Sequence, residues 1–437
     1  MRININRLFE KGAHYLFALA IILECHSIWT VTKGLEWFNN FNILLLAVSL
    51  IFCMLFSSTK TTNLKKSTII VTFITIYLLL FWLLDSYRTA YFIKQIIILI
   101  ICIFYIILYG QSKSQNTFSK GTNSPFWICY EDIIVAIACI SLFFWIFGSC
   151  LGYIQPTGHV WSTWSTSKDT YVASYYGLYF ETQEWKSLFS LLKYRNTAIF
   201  TEAPMASLNF SVALLIDLFI RNKKNTRNLI ILTVAIISTF STTGYIVIIL
   251  AYFAKLFFKK EQKTYRWIVK HLVVVITLII GVGVIQSLIN QKLGSISGSI
   301  RLDDFNAGFK AWTDHPMLGN GYGNGDAITH YISNFRRNNT GYSNSPMFIL
   351  ALGGIYLFFP FLFAAVKGIS KMIKTKDWNS LSFYSLFLVL FTITLIPFNG
   401  LTYIVFCMMG NYARQQRTLT KYENQNMTCV SNLGGLK

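Results

Sequence analysis

The residues best suited to chemistry lie in one polar stretch, 295–326, which reads SISGSIRLDDFNAGFKAWTDHPMLGNGYGNGD. Its Arg301 could bind phosphate oxygens, because the planar guanidinium group matches their geometry with paired hydrogen bonds. Four neighbouring side chains could exchange a proton with a substrate: Asp303, Asp304, Asp314 and His315. The alternating glycines that follow permit unusual backbone angles and close approach of a ligand, so Gly319, Gly321 and Tyr322 are candidate substrate contacts.

A second candidate group comes earlier, in the stretch ETQEWKSLFSLLKYRNTAIFTEAP at 181–204. Apolar side chains at 185, 188, 189 and 192 recur with helical spacing and predict a short helix in the membrane interface. Arg195 follows this segment, and it could either bind a substrate phosphate or extend to lipid headgroups. Glu202 stands at the start of the next apolar run and is a further candidate for proton transfer.

Several familiar site motifs are missing from the sequence. The late glycines do not form GxGxxG, because Asn324 occupies the last glycine position, and no Gly-Lys dipeptide suggests a phosphate-binding loop. The six histidines form no HExxH pair, and the eight cysteines form no CxxC pair. GxSxG is absent as well. We therefore expect no metal site, no cofactor and no disulfide framework.

The elements that position these residues are predicted to be membrane helices. The chain is 54% hydrophobic and only 13% charged, too little charge to cover a soluble protein of 437 residues. Helices are expected because lipid offers no partners to free backbone groups. The apolar runs are 13–32, 39–57, 68–84, 90–109, 132–154, 202–220, 228–241, 243–258, 267–288, 346–366, 379–396 and 399–412. We predict an all-α polytopic membrane protein with about twelve spans, or ten if the short adjacent runs are broken helices.

The distribution of basic residues predicts the orientation of the chain. Its formal net charge is +20, and most Lys and Arg fall on one set of alternate connections. Cytoplasmic connections carry this excess in membrane proteins, so both termini are expected inside, and no nucleic acid is expected as a partner. Two long connections, 155–201 and 289–345, then lie outside. The prediction is one transmembrane domain over 1–412, with a cytoplasmic tail over 413–437.

This topology predicts where a reaction would take place. Arg195 and Arg301 fall on the outer connections of a protein embedded in lipid. A charged substrate would therefore bind at the outer face. A substrate that combines a lipid tail with a diphosphate would use the membrane and the arginines together.

Four motifs also occur in a characteristic order: YRNTAIFTEAPMAS, STFSTTGY, GSIRLDDFNAGFKAWTDHPMLGNGYG and YSNSPMFILALGGIYLFF. Their order and spacing resemble the bacterial O-antigen polymerase and O-antigen ligase superfamily over roughly residues 180–366. The resemblance implies a membrane glycosyltransferase with a GT-C-like helical bundle that needs no metal. Its substrates would be oligosaccharides on undecaprenyl diphosphate and the growing polysaccharide, with a chain-length regulator as a further partner. Arg195 and Arg301 match the arginines that hold the lipid diphosphate.

One departure from the family pattern bears on the reaction. Ligases usually carry a His-Asn pair where the late outer loop enters the next span, and this chain has Ser343-Asn344-Ser345 there. The difference favours a polymerase of O-antigen, capsule or exopolysaccharide repeats over a ligase, and it leaves the general base unassigned among the five acid–base candidates. Asn344 is retained as a candidate substrate contact. A flippase for the same lipid-linked unit is the alternative from another class, because twelve spans also suit a carrier.

Overall fold

The computed structural model describes residues 5–56, 61–89, 91–109, 124–164, 170–184, 193–221, 225–258, 296–336 and 341–412. The α-helices of this part are α1 Ile5–Glu24, α2 Phe38–Phe56, α3 Thr61–Leu84, α4 Tyr91–Tyr109, α5 Pro125–Phe144, α6 Ala203–Leu215, α7 Thr226–Ser238, α8 Thr242–Phe258, α9 Ile296–Asp314, α10 Asp326–Thr329, α11 Ser345–Thr375, α12 Trp378–Ile393 and α13 400–412. Two π-helical turns, Trp145–Cys150 and Ile216–Ile220, extend α5 and α6. Two 3₁₀ turns lie at Ile28–Val31 and Asn334–Arg336.

The described helices make this a mostly helical membrane protein. Six of them are long and apolar enough to cross a bilayer: α2, α3 from Ser67, α4, α5 with its π turn, α6 with its π turn, and α11. Three more, α7, α8 and α12, are apolar but shorter. The polytopic helical class is confirmed, whereas the count of twelve spans and the GT-C-like arrangement stay predictions. The predicted span at 267–288, the interfacial helix at 185–192 and the tail lie outside the described residues.

Several predicted boundaries differ from the observed ones. The first span was expected over 13–32, but α1 ends at Glu24, and His26 then takes a left-handed backbone conformation with φ of 55°. A left-handed residue just after the last turn is a common way to end a helix. The expected helix 132–154 begins earlier, because Pro125 fits the first helical turn, where its missing N–H is not needed. The expected helix 346–366 continues to Thr375.

The connection 155–201 departs locally from the all-α prediction. It contains an antiparallel sheet of β1 Gly158–Ser162, β2 Thr170–Tyr175 and β3 Tyr179–Glu181, in that order. One face of the sheet places Val160, Val172 and Phe180 against Ile28. Strand β1 alternates half-buried and exposed side chains, as expected of a strand with one covered face. A search for apolar runs of spanning length does not detect elements this short.

Helix α11 is broken where the polar stretch packs against it. Gly354 has φ of 59° and ψ of −162°, which interrupts the helical hydrogen bonds. The loop 316–321 packs against α11 at this break, and its backbone makes hydrogen bonds in place of the interrupted helical ones. The Ile355 N–H donates to the Pro316 carbonyl at 2.9 Å, and the Asn320 N–H donates to the Ala351 carbonyl at 2.9 Å. A break at membrane depth is tolerated when other protein groups satisfy the freed backbone in this way.

Helix α6 runs through the interior of the bundle and fixes the position of the candidate site. Its side chains are almost completely buried, and it packs against α5, α7 and α8. The chain enters α6 from the segment 193–202, which contains Arg195 and ends at Glu202. The side of the bundle that carries this segment, the sheet and α9 is called the loop face below.

Candidate functional site

The turn between α7 and α8 holds both predicted phosphate-binding arginines. This turn is the centre of the STFSTTGY motif, residues 238–245. Arg195 donates from Nε to the Thr239 carbonyl at 2.8 Å and from Nη2 to the Phe240 carbonyl at 2.9 Å. Arg301 donates from Nη2 to the Thr243 hydroxyl at 3.1 Å. The two long connections of the loop face therefore meet at one structural element.

Arg195 is fixed further by Gln183. The Oε1 atom of Gln183 accepts a hydrogen bond from Arg195 Nη1 at 3.1 Å and another from the Ala203 N–H at 3.2 Å. One amide oxygen thus ties the guanidinium group to the start of α6. Burial lowers the pKa of Arg195 to about 10, so the group stays protonated at neutral pH. A half-buried cation is screened less by water than an exposed one, which favours a strong interaction with an anion.

Glu202 lies within electrostatic reach of both arginines. It is the N-cap residue of α6, and its extended backbone, with φ of −155°, precedes the first helical turn. Burial raises the pKa of its carboxyl group, and the Trp164 indole N–H, which donates to the carboxylate, opposes that rise. The charges of Arg195 and Arg301 also oppose it. We call these three charged residues the arginine centre.

His26 lies beside the arginine centre, on the far side of Trp164. The two ring centroids are 5.2 Å apart, with the planes at 71°. The Nε2 atom is 3.2 Å from the Leu395 carbonyl, and the His26 carbonyl accepts the Thr201 N–H at 3.0 Å. Burial lowers the pKa of His26 to about 4, so the ring is neutral at pH 7. A neutral ring that donates from Nε2 keeps its other nitrogen as an acceptor.

Asp303 and Asp304 take part in a separate ion cluster around Arg336. The Arg336 side chain is fully buried, and its Nη1 lies 2.6 Å from Asp304 Oδ1 and 3.2 Å from Asp303 Oδ2. Asp304 also accepts from the Ser343 hydroxyl at 2.5 Å, and Asp303 accepts from Ser333. Burial raises the pKa of Asp304, while these hydrogen bonds and the Arg336 charge oppose the rise. Asp303 and Asp304 thus hold α9 against the chain that leads into α11.

Asp314 and His315 lie at the opposite end of α9 from Arg301. Thirteen residues of helix separate Arg301 from Asp314, which corresponds to about 20 Å along the axis. Asp314 accepts a hydrogen bond from the Tyr331 hydroxyl at 2.7 Å, and His315 Nδ1 is 3.0 Å from Asn320 Oδ1. Both side chains are exposed. The structure does not bring this pair to the arginine centre.

The predicted loop contacts have packing partners within the protein. Gly319 has φ of 70°, and a Cβ atom there would overlap the backbone of α11 at its break. Gly321 has φ of 101° and packs against Tyr87 and Asp85. The Tyr322 ring is buried against Phe92 and Phe398. Asn344 caps α11 by accepting the Met347 N–H at 3.0 Å. Close packing explains these residues, and their contact with a substrate stays a prediction.

Sequence reasoning missed five residues around the site: His26, Trp164, Gln183, Thr243 and Arg336. Two adjacent aspartates in an apolar protein require a cation, and this requirement could have pointed to Arg336. Thr243 lies inside the STFSTTGY motif, where nothing in its local sequence marks it as a partner for an arginine. His26, Trp164 and Gln183 reach the site only through the folded connections, so no local spacing indicates them. Within the described ranges, no cluster of three or more His, Cys, Asp or Glu could hold a metal ion.

The fold and the site together define a polytopic membrane protein with a cationic centre at one end of its bundle. Residues 228–362, less than half of the chain, match the family model described as O-antigen ligase. The match supports the O-antigen polymerase and ligase superfamily, and the prediction made from the motifs is thereby confirmed. Members of this family are membrane enzymes that act on lipid-linked sugars. The search of curated proteins finds no match to this chain.

Proposed function

We propose that this protein polymerises oligosaccharide repeat units carried on undecaprenyl diphosphate, at the outer face of the bacterial plasma membrane. The observation that carries the proposal is that Arg195 and Arg301 both hydrogen-bond to the turn between α7 and α8, where the charge of each acts on the Glu202 carboxylate. The three residues sum to a net positive charge, which suits an anionic substrate. Arg301 lies inside the matched family region, and Arg195 precedes it.

The lipid part of the substrate is expected to approach along α9. Leu302, Phe305 and Phe309 share one face of this helix, and each is more than 40% exposed. Such a face beside a half-buried arginine suits contact with an apolar tail while the guanidinium group binds the headgroup. The diphosphate would then lie between Arg301 and Arg195, with its charge balanced by both.

The reaction would be a displacement at the anomeric carbon of the donor sugar. A hydroxyl oxygen of the acceptor sugar forms the new bond to that carbon, and the bond from the carbon to the diphosphate oxygen breaks. The leaving group is undecaprenyl diphosphate, whose growing negative charge the two arginines stabilise in the transition state. The hydroxyl proton must pass to a base. The donor glycan, released from its carrier, is thereby joined to the acceptor glycan, and the product is one longer glycan.

Glu202 is the base that the geometry supports best. Among the five predicted acid–base residues, it is the one on which both arginines act. Asp303 and Asp304 are ion-paired with Arg336, and the remaining two lie about 20 Å along α9 from Arg301. Because burial raises its pKa, the Glu202 carboxylate is a stronger base than an exposed glutamate, which suits proton transfer near neutral pH.

A ligase that joins finished glycan to another acceptor is the second candidate, because the matching family model carries that description. Ser343 and Ser345 flank Asn344 at the place where ligases usually have their histidine. Both hydroxyls have structural partners: Ser343 donates to Asp304, and Ser345 donates to the Thr394 carbonyl. Neither supplies the proton-accepting ring that the ligase pattern requires, so the polymerase remains the preferred function.

The polysaccharide size ladder of strains carrying Arg195→Ala or Arg301→Ala tests the proposal. We expect single repeat units on the lipid carrier at the outer leaflet and loss of long chains. Arg227→Ala is the matched control, because Arg227 is an exposed arginine at the start of α7, away from the turn that holds the other two. Full-length polymer from both site variants would refute the polymerase. Long chains that stay on the carrier would favour the ligase, and units held at the inner leaflet would favour a flippase.

A further inference from the structure

The outward face of the sheet carries three aromatic rings that the arginine centre does not use. Trp161 lies directly opposite Tyr171 in the β1–β2 register, and His159 lies two residues before Trp161 on the same face. The His159 and Tyr171 rings stack at 4.7 Å with planes 9° apart, and the Trp161 and Tyr171 centroids are 5.0 Å apart. We call these three residues the aromatic platform.

The platform is exposed although the sheet beneath it is fixed. Trp161 is 49% and Tyr171 is 61% exposed. The opposite face packs against Ile28, and the segment after α1 extends the sheet: the Lys33 N–H donates to the Trp161 carbonyl, and the Thr163 N–H donates to the Val31 carbonyl, both at 2.9 Å. The rings are therefore held on a rigid support, so little conformational freedom would be lost when a ligand binds them.

The platform lies close to the arginine centre along the chain. Strand β1 ends at Ser162, and Trp164, two residues further, donates its indole N–H to Glu202. Trp161 and Trp164 are thus separated by only two residues of chain. A ligand that lies on the platform and extends toward Trp164 would approach the carboxylate on which both arginines act.

The surroundings of the rings indicate the chemistry of the ligand. Thr157 and Thr163 are exposed and alternate with His159 and Trp161 along the same piece of chain, and their hydroxyls donate to the Ser174 and Val31 carbonyls. Exposed apolar surface with a polar rim marks an interaction site. Sugars present C–H groups on the faces of their rings and hydroxyls around the edge, so they match flat aromatic surfaces bordered by hydrogen-bonding groups.

We propose that the aromatic platform binds the glycan chain several sugars away from its reacting end. This inference rests on the proposed function, because it assigns the occupant of a surface that leads into the same site. Binding there would retain the polymer between successive additions and would thereby set its length. The reacting end would pass Trp164 to reach the arginine centre.

The first test measures binding without catalysis. The probe is the polysaccharide purified from the strain that expresses this chain, freed of its lipid by mild acid, and titrated into the full-length protein in nanodiscs. We expect Trp161→Ala and Tyr171→Ala each to weaken binding at least tenfold. Tyr153→Ala is the matched control, because Tyr153 is 78% exposed and lies outside the sheet. Unchanged affinity in both platform variants would overturn the inference.

The second test separates the platform from a membrane anchor, since Trp and Tyr also collect at lipid interfaces. Nanodiscs that contain brominated lipids quench tryptophan fluorescence at short range. We expect the fluorescence component lost in Trp161→Phe to escape quenching by lipid and to change when the polysaccharide is added. A component quenched by brominated lipid and insensitive to polysaccharide would show that the platform lies in the membrane, against the proposal.

The failure of this inference and the failure of the proposed function give different results. If deletion of the gene leaves the polysaccharide unchanged, the polymerase itself is refuted. If the polysaccharide disappears on deletion but the platform variants bind it and produce the normal length distribution, only the platform is refuted. Arg195→Ala and Arg301→Ala are expected to retain polysaccharide affinity while losing polymerisation, because their side chains lie beyond the platform.

Discussion

At the scale of single residues, the charged groups of the loop face form two sets with different balance. Arg336 is shared by two aspartates, so that set is closed and carries no excess positive charge. Arg195 and Arg301 carry one more charge than Glu202, the carboxylate on which both act, and Asp304 acts on Arg301 as well. A buried ion cluster stabilises one arrangement of the chain, whereas two neighbouring arginines attract an incoming anion. The two sets should therefore respond differently to substitution.

The first prediction concerns Glu202→Gln. The substitution retains the size of the side chain and removes the base, so polymerisation in membranes should fall about 10²- to 10⁴-fold. In the unchanged protein, the rate should decrease as the pH is lowered while still above the usual glutamate pKa of 4.5, because burial raises the pKa of this carboxyl and the ionised form is the active one. In Glu202→Gln, the rate should no longer decrease over this range of pH. Wild-type rates in the variant would remove Glu202 from the mechanism.

The second prediction concerns Arg336→Met. The substitution leaves two buried carboxylates without their cation, and removal of one partner of a buried ion pair costs roughly 3–5 kcal/mol of stability. Thermal unfolding in detergent should shift downward strongly, or the folded yield should collapse. Arg301→Ala serves as the comparison, because we expect it to remove activity with a much smaller decrease in the unfolding temperature. Equal unfolding temperatures for wild type and Arg336→Met would contradict the structural role of the cluster.

At the scale of elements, the sequence predicts what depends on long apolar runs and misses what depends on contacts between distant segments. The placement of Arg195 before one span and of Arg301 in the late loop followed from the motifs. The turn at 239–243, to which both arginines hydrogen-bond, could not be predicted from the motifs. Carbonyl and hydroxyl partners leave no periodic signal in a sequence. The sheet is not predicted for a related reason: strands of three to six residues are too short to form an apolar run of spanning length.

The third prediction concerns the break in α11. Gly354→Ala should destabilise the protein, since the backbone conformation at 354 is one that only glycine normally adopts, at a cost of roughly 1–3 kcal/mol for other residues, and the new Cβ would overlap the Met317 carbonyl. Gly319→Ala should also destabilise the protein, because a Cβ atom at 319 would overlap the α11 backbone. Gly325→Ala is the control from the same loop, with open space around its Cβ position. The measurement is the unfolding temperature of each variant in detergent, and equal values for all three would contradict the packing explanation of these glycines.

At the scale of the whole molecule, helix length places the arginine centre relative to the bilayer. Helix α7 has 13 residues, which is about 20 Å, whereas the hydrocarbon core is about 30 Å thick. If α7 starts at the inner boundary, the turn that holds both arginines lies well below the outer boundary. Short and broken helices of this kind also explain why the number of spans could not be counted from apolar runs. A recessed centre would hold a diphosphate where water screens its charge least.

The fourth prediction tests the orientation on which this placement depends. The distribution of Lys and Arg predicts that the loop face is outside and that the start of α7 is inside. In a parent protein whose accessible cysteines are replaced by serine, Tyr153→Cys should react with a membrane-impermeant maleimide in intact cells. Arg227→Cys should react only after lysis. Both positions are exposed, so burial cannot account for a difference between them. The reverse labelling pattern would put Arg195, Arg301 and Glu202 at the cytoplasmic side, where polymerisation at the outer leaflet could not use them.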